Sequence, residues 1–139
     1  MGRLKRYMLD TNMVSHLIKG HALVARRLQS VPIKGVCISA ITEAELLFGL
    51  AKRPAATRLR KVVNEFLLCT DILGWDTLVA AQYGALRAQL ERAGQMLAPM
   101  DLMIASHARC EDAILVTNDA VFLQVPKLVC EDWTEQAQA

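Results

Sequence analysis

No two cysteines in this sequence form a CxxC pair, and no histidine stands at zinc-like spacing from any of the four, Cys37, Cys69, Cys110 and Cys130. That excludes a thiolate zinc site and a dithiol redox motif, so the thiols read as buried, reduced and structural. No apolar run approaches the ~20 residues needed to cross a membrane. The basic opening Gly2-Arg3-Leu4-Lys5-Arg6 leads into an apolar stretch that Asp10 interrupts too soon for a signal peptide, and the expected location is the cytoplasm. Low-complexity tracts, internal repeats and linkers are also missing. What remains is a chain of 139 residues, 53% of them hydrophobic, which suits one folded domain over 1–139 and not a disordered one. His16, His21 and His107 are not spaced as a catalytic or metal set, and each is expected on the surface or in helix packing.

Net charge is a modest +2, but it is unevenly spread. Residues 1–61 hold 12 Lys/Arg against 3 acids, and residues 62–139 hold 4 against 11. The block Lys52, Arg53, Arg58, Arg60, Lys61 contains no acid. Such a block is either a solvated helix face or a surface for a phosphate backbone, with Arg58, Arg60 and Lys61 as the candidate contacts to that backbone.

Periodicity gives strands alternating with helices. Strands are expected at Tyr7 to Leu9, Val36 to Ile38, Thr70 to Leu73, Ile114 to Thr117 and, weakly, Leu128 to Cys130. Helices are expected at Thr11 to Ile18, Ala22 to Gln29, Thr42 to Ala51, Ala55 to Leu68, Asp76 to about Arg92, and Pro99 to Arg109. Thr42 and Glu45 fit a capping box at the start of the third helix. Trp133 packs or caps, and Thr134 to Ala139 reads as a frayed tail. The alternation implies a three-layer α/β fold with a parallel sheet of four to five strands covered on both faces.

In a parallel sheet every strand-to-helix junction lies on one edge, where α/β folds bind ligands. Asp10 and Asp119 directly follow strands, Glu45 lies one turn into a helix that follows a strand, and Asp101 opens a helix that leads back to the sheet. Each has an ordinary explanation: an N-cap, a capping-box arm, a helix-dipole partner, an Asx turn. Four carboxylates on one rim are harder to dismiss. Within ~5 Å of one another they repel by about 1–4 kcal/mol per pair, and a hard cation such as Mg²⁺ or Mn²⁺ removes that cost. Such a site can hydrolyse a phosphodiester without a nucleophilic side chain. Glu43 competes with Glu45, but two residues apart on a helix they point about 200° from each other, and Glu45 is favoured. Thr11, Asn12, Thr117 and Asn118 are expected to hydrogen-bond the acids.

The segments Leu9-Asp10-Thr11-Asn12, Ser39 to Gly49 (SAITEAELLFG), Pro99 to Ala108 (PMDLMIASHA) and Leu115-Val116-Thr117-Asn118-Asp119 resemble PIN-domain ribonucleases, and more closely the VapC-type toxins of toxin–antitoxin systems. The Glu131-Asp132-Trp133 ending fits as well, so the resemblance runs from Tyr7 to Trp133. It implies a sheet order of 3-2-1-4-5 and a metal triad of Asp10, Glu45 and Asp101, with Asp119 in the fourth position. It also implies cleavage of RNA, often tRNA in the anticodon loop, a homodimer, and an antitoxin whose C-terminal segment wraps the toxin and can place an Arg among the acids. The helices after Glu45 and Pro54 carry apolar residues compatible with such a partner, or with tight core packing. A receiver-like signalling domain is the main rival, but it needs a paired acid near Asp10 and an acceptor Asp ending the third strand, where Leu73-Gly74 stands. An Asp10-nucleophile phosphohydrolase would want an acid at position 12, which is Asn. An inactive PIN-like RNA-binding module is the remaining alternative, and the intact acids argue against it.

Overall fold

A computed structural model describes residues 4–136. The run Tyr7–Leu9 forms β1, buried along its whole length. The chain continues through α1 (Thr11–Ile18), α2 (Ala22–Ser30), β2 (Val36–Ser39), α3 (Ala40–Ala51), α4 (Thr57–Cys69) and β3 (Asp71–Leu73). It closes with α5 (Thr77–Arg92), α6 (Pro99–Cys110), β4 (Ile114–Val116) and β5 (Cys130–Glu131). The five strands are parallel in the order β3-β2-β1-β4-β5, with β1 in the centre, as expected.

The period-2 geometry of strands divides the interior into two cores. Tyr7, Leu9, Val36, Ile38 and Val116 face one side, where α1 to α4 add Met13, Val14, Val24, Leu46, Leu50 and Val63. Met8, Cys37 and Leu115 face the other, where α5 and α6 add Leu86, Leu90, Leu102, Ile104 and Ala105. The result is the three-layer arrangement that a doubly covered parallel sheet requires. At Gly35 the chain entering β2 passes so close to the one entering β1 that a Cβ would stand 2.6 Å from the Lys5 carbonyl oxygen, so only glycine fits.

Several boundaries differ from expectation. The capping box at Thr42 and Glu45 does not form. Ser39 leaves β2 extended and its Oγ accepts the Ile41 N–H at 3.1 Å, so α3 starts at Ala40 and Thr42 lies buried inside it. The fourth helix starts at Thr57 because a turn after Pro54 uses Ala55 and Ala56. β5 falls at Cys130–Glu131 because Lys127 adopts φ 61° in the preceding turn. Only Cys37 among the thiols is fully buried; Cys69 is exposed at the end of α4, and Cys110 and Cys130 are half-buried. Burial pushes the Cys37 thiol up to about 11, so it is an inert core group.

Trp133 is fully buried, lies 5.6 Å from Tyr7 ring to ring, and donates from Nε1 to Glu131, which Arg27 also clamps at 2.8 Å. The expected tail is not frayed at its start, since Asp132 accepts both the backbone N–H and the hydroxyl of Thr134; residues 137–139 lie outside those described. No helix among the described residues is long and apolar enough to cross a membrane.

Candidate active site

Asp10 leaves β1 in an extended conformation and caps α1. Asp is favoured there because its carboxylate accepts an orphan N–H of the first turn. Oδ1 accepts the Met13 N–H at 2.8 Å, and Oδ2 accepts the Thr117 hydroxyl at 2.6 Å. Only 4% of the residue is exposed. Burial pushes its carboxyl above the ordinary value, the two hydrogen bonds pull it down, and the charges of Asp101 and Asp119 push it up again.

Asp101 stands in the first turn of α6, half-buried, after the Pro99 that begins the helix. Its carboxyl is raised by burial, then by Asp119, then by Glu45. The two raised groups therefore name all four acids as electrostatic neighbours at the carboxyl edge of the sheet. Asp119 is exposed; its Oδ1 accepts the Val121 N–H at 3.0 Å and caps a 3-10 turn over Ala120–Gln124. The Asx-turn explanation of Asp119 thus holds alongside its place on the rim.

The two threonines tie this rim together. Thr117 donates to Asp10 and accepts the Asp119 N–H at 3.1 Å. Thr11 donates to Glu45 Oε1 at 2.5 Å and lies 3.3 Å from the Thr42 hydroxyl. Glu45, not Glu43, is the α3 acid that meets α1. The two asparagines do not join the acids among the described residues. Asn12 is exposed, one position and about 100° around the helix from Thr11. Asn118 turns its side chain to His16, with Nδ2 3.4 Å from Nε2.

Of the expected RNA-binding residues, Arg58 and Lys61 are exposed on α4, while Arg60 donates from Nη2 to the Leu50 carbonyl at the end of α3. A groove of about 240 Å³ between α1, α3 and α4 reaches Thr11 and Glu45 at one end and is lined by Lys19, Lys52 and Arg53. Lys19 had no signal in the sequence beyond its charge; Lys52 and Arg53 belonged to the basic block, yet only the fold shows that they line the groove. His107 is fully buried and belongs to the packing of α6, and His21 caps α2 by accepting the Val24 N–H.

The donor set is oxygen alone, which suits Mg²⁺ or Mn²⁺. Burial and mutual repulsion hold two of the carboxyls above their usual range, a condition that a divalent cation relieves. Among the described residues no three His, Cys, Asp or Glu side chains are drawn tightly enough together to enclose an ion as they stand.

Comparison with known proteins places the fold in a family. Residues 7–128 match the PIN domain family. The chain is 36% identical to the tRNA(fMet)-specific endonuclease VapC of Shigella flexneri over 93% of its length and 98% of the relative's. The solved DNA-bound VapBC of Salmonella typhimurium superposes with a TM-score of 0.87 at 36% identity, covering 94% of this chain and 99% of the other. VapBC2 of Rickettsia felis, bound to a promoter DNA fragment, gives 0.85 at 35% identity, covering 91% and 98%. The chain therefore belongs to the PIN-domain family, in its branch of VapC ribonucleases.

Proposed function

We propose that this ribonuclease is the toxin of a toxin–antitoxin pair and cuts tRNA, with Asp10, Glu45, Asp101 and Asp119 holding Mg²⁺ or Mn²⁺. The observation that carries the metal reading is the gathering of four acids on one rim: Asp10 is pushed up by burial and then by Asp101 and Asp119, and Asp101 by burial and then by Asp119 and Glu45. The donor set fits a hard cation, and bound there the ion supplies Lewis acidity that activates water and neutralises charge on the scissile phosphate. The chain's own residues orient that chemistry. Thr117 fixes Asp10, Thr11 fixes Glu45, and the α6 first turn presents Asp101 with its backbone N–H groups toward the same rim. Lys19, Lys52 and Arg53 lie along the groove that leads to Glu45, where an RNA backbone would place phosphates.

The tRNA substrate is supported by the name of the Shigella flexneri relative, and the antitoxin by the VapBC complexes among the structural neighbours. Leu47, Phe48, Val62 and Leu68 are exposed on α3 and α4, apolar surface that suits a protein partner or a second copy in a homodimer. The test is incubation of pure protein with total tRNA in Mg²⁺ or in chelator, followed by mapping of the new ends. Discrete cuts in Mg²⁺ alone are expected. Equal cutting in chelator would overturn the metal reading, and cutting of other RNAs but not tRNA would overturn the substrate.

A further inference from the structure

α6 carries Asp101 in its first turn and, six residues on, His107, whose ring is wholly buried. Six residues are about 600° of helix, so the two side chains leave α6 on different faces. His107 meets the start of α3 instead. Its Nδ1 lies 2.7 Å from Ser39 Oγ, the same oxygen that accepts the Ile41 N–H and caps the helix bearing Glu45. On the far side of the ring, Nε2 has no hydrogen-bond partner among the described residues and faces Glu111 Oε1 at 4.0 Å. Glu111 is anchored by Arg6 at 3.3 Å.

Burial holds the His107 imidazole below its usual pKa, with Glu111 and Asp76 opposing, so the ring is neutral and carries one proton. The tautomer with that proton on Nε2 turns it toward the Glu111 carboxylate. Nδ1 then accepts the Ser39 hydroxyl, and the Ser39 lone pairs are left to the Ile41 N–H. The imidazole thus holds Ser39 in the rotamer that caps α3.

The sequence offers α3 a second start. Thr42 and Glu45 have the spacing of a capping box, in which Glu45 would bend back onto the Thr42 N–H. In that register Glu45 is used up by its own helix and is lost to the rim. Starting at Ala40 keeps Glu45 free to meet Thr11. We infer that His107 is a positioning residue: by holding the Ser39 cap it selects the helix start that leaves Glu45 free to serve the metal site. The inference rests on the metal reading proposed above.

Direct titration with Mn²⁺, followed by the EPR signal of the free ion, tests it at a temperature where circular dichroism shows each variant folded. His107→Leu and Ser39→Ala are expected to bind Mn²⁺ about tenfold more weakly, the usual scale for a partner behind a metal ligand. His107→Asn keeps a polar atom near Nδ1 and is expected to recover most of the affinity, and Ser39→Thr likewise. If His107→Leu and Ser39→Ala bind as tightly as the wild type while Asp101→Asn loses binding, His107 only packs, and the inference falls while the metal site stands. Mn²⁺ binding by Asp101→Asn at wild-type affinity would overturn the metal site itself. Should His107→Leu not fold, Ser39→Ala decides alone.

Discussion

Asp101 pays for its position before any substrate arrives. Half-buried and facing Asp119 and Glu45, it holds its proton more tightly than an ordinary aspartate. A group raised in this way works against folding once it is ionised, so it costs stability at neutral pH and not at low pH. Asp101→Asn keeps the shape and removes the charge. Metal-dependent RNA cleavage is expected to disappear, while the metal-free variant is expected to melt above the wild type at neutral pH. Melting curves at pH 7 and pH 4 check this, and the gap should close at the lower pH. A variant that cleaves at the wild-type rate sinks the assignment. Thr117→Val, which removes a buried hydroxyl that donates to Asp10, is expected to weaken Mn²⁺ binding about tenfold, measured by titration. The rim positions of Asp10, Asp101 and Asp119 were readable from strand ends and a helix start, whereas Glu45 is the sixth residue of α3 and its place followed only from the fold. Asn12 and Asn118 were misread because polarity near an acid does not say which way a side chain turns. The role of His107 was invisible, since its partner Ser39 is 68 residues away.

At the scale of elements, the sequence placed α1 and β1 at their observed bounds because Asp10 and Gly20 punctuate them clearly. α3 was misplaced by two residues because two caps compete there and only the fold chooses Ser39. The same helix shows why charge counts alone did not single out the groove. The basic block spans the end of α3 and the start of α4, and its members diverge. Lys52 and Arg53 line the groove beside Glu45, while Arg60 is spent on the Leu50 carbonyl. Replacing Lys19, Lys52 and Arg53 together by Ala is expected to lower the salt dependence of RNA affinity by about 2 in slope, given ~0.7 per phosphate contact on a single strand. Replacing Arg58 and Lys61 should lower it less. Fluorescence anisotropy across a salt series, using the catalytically silent Asp101→Asn background, separates the two sets; equal slopes would move the RNA path off this groove.

For the whole molecule, the parallel sheet was legible from alternating strands and helices, whereas the order of its strands came with the family resemblance, because pattern alone does not order five short strands. That order puts β1 between β2 and β4, and so brings carboxylates from opposite ends of the chain to one rim. The consequence is a coupling between metal, protons and global stability. Asp10 and Asp101 have folded-state pKa values above the ordinary one, so the folded chain binds more protons than the unfolded chain in that range. Stability from these groups therefore falls as pH rises through it. A cation competes with those protons and favours the ionised acids, so its stabilising effect must grow as pH rises. At 100 times its Kd, an ion that binds only the folded chain stabilises by about 2.7 kcal/mol. For a domain of this size that is roughly 5–10 °C in melting temperature. Scanning calorimetry with Mn²⁺ and with chelator is expected to show a shift of that order at pH 7.5 and a smaller one at pH 5, and neither in Asp101→Asn. A shift equal at both pH values would mean that the ion binds somewhere other than among these acids.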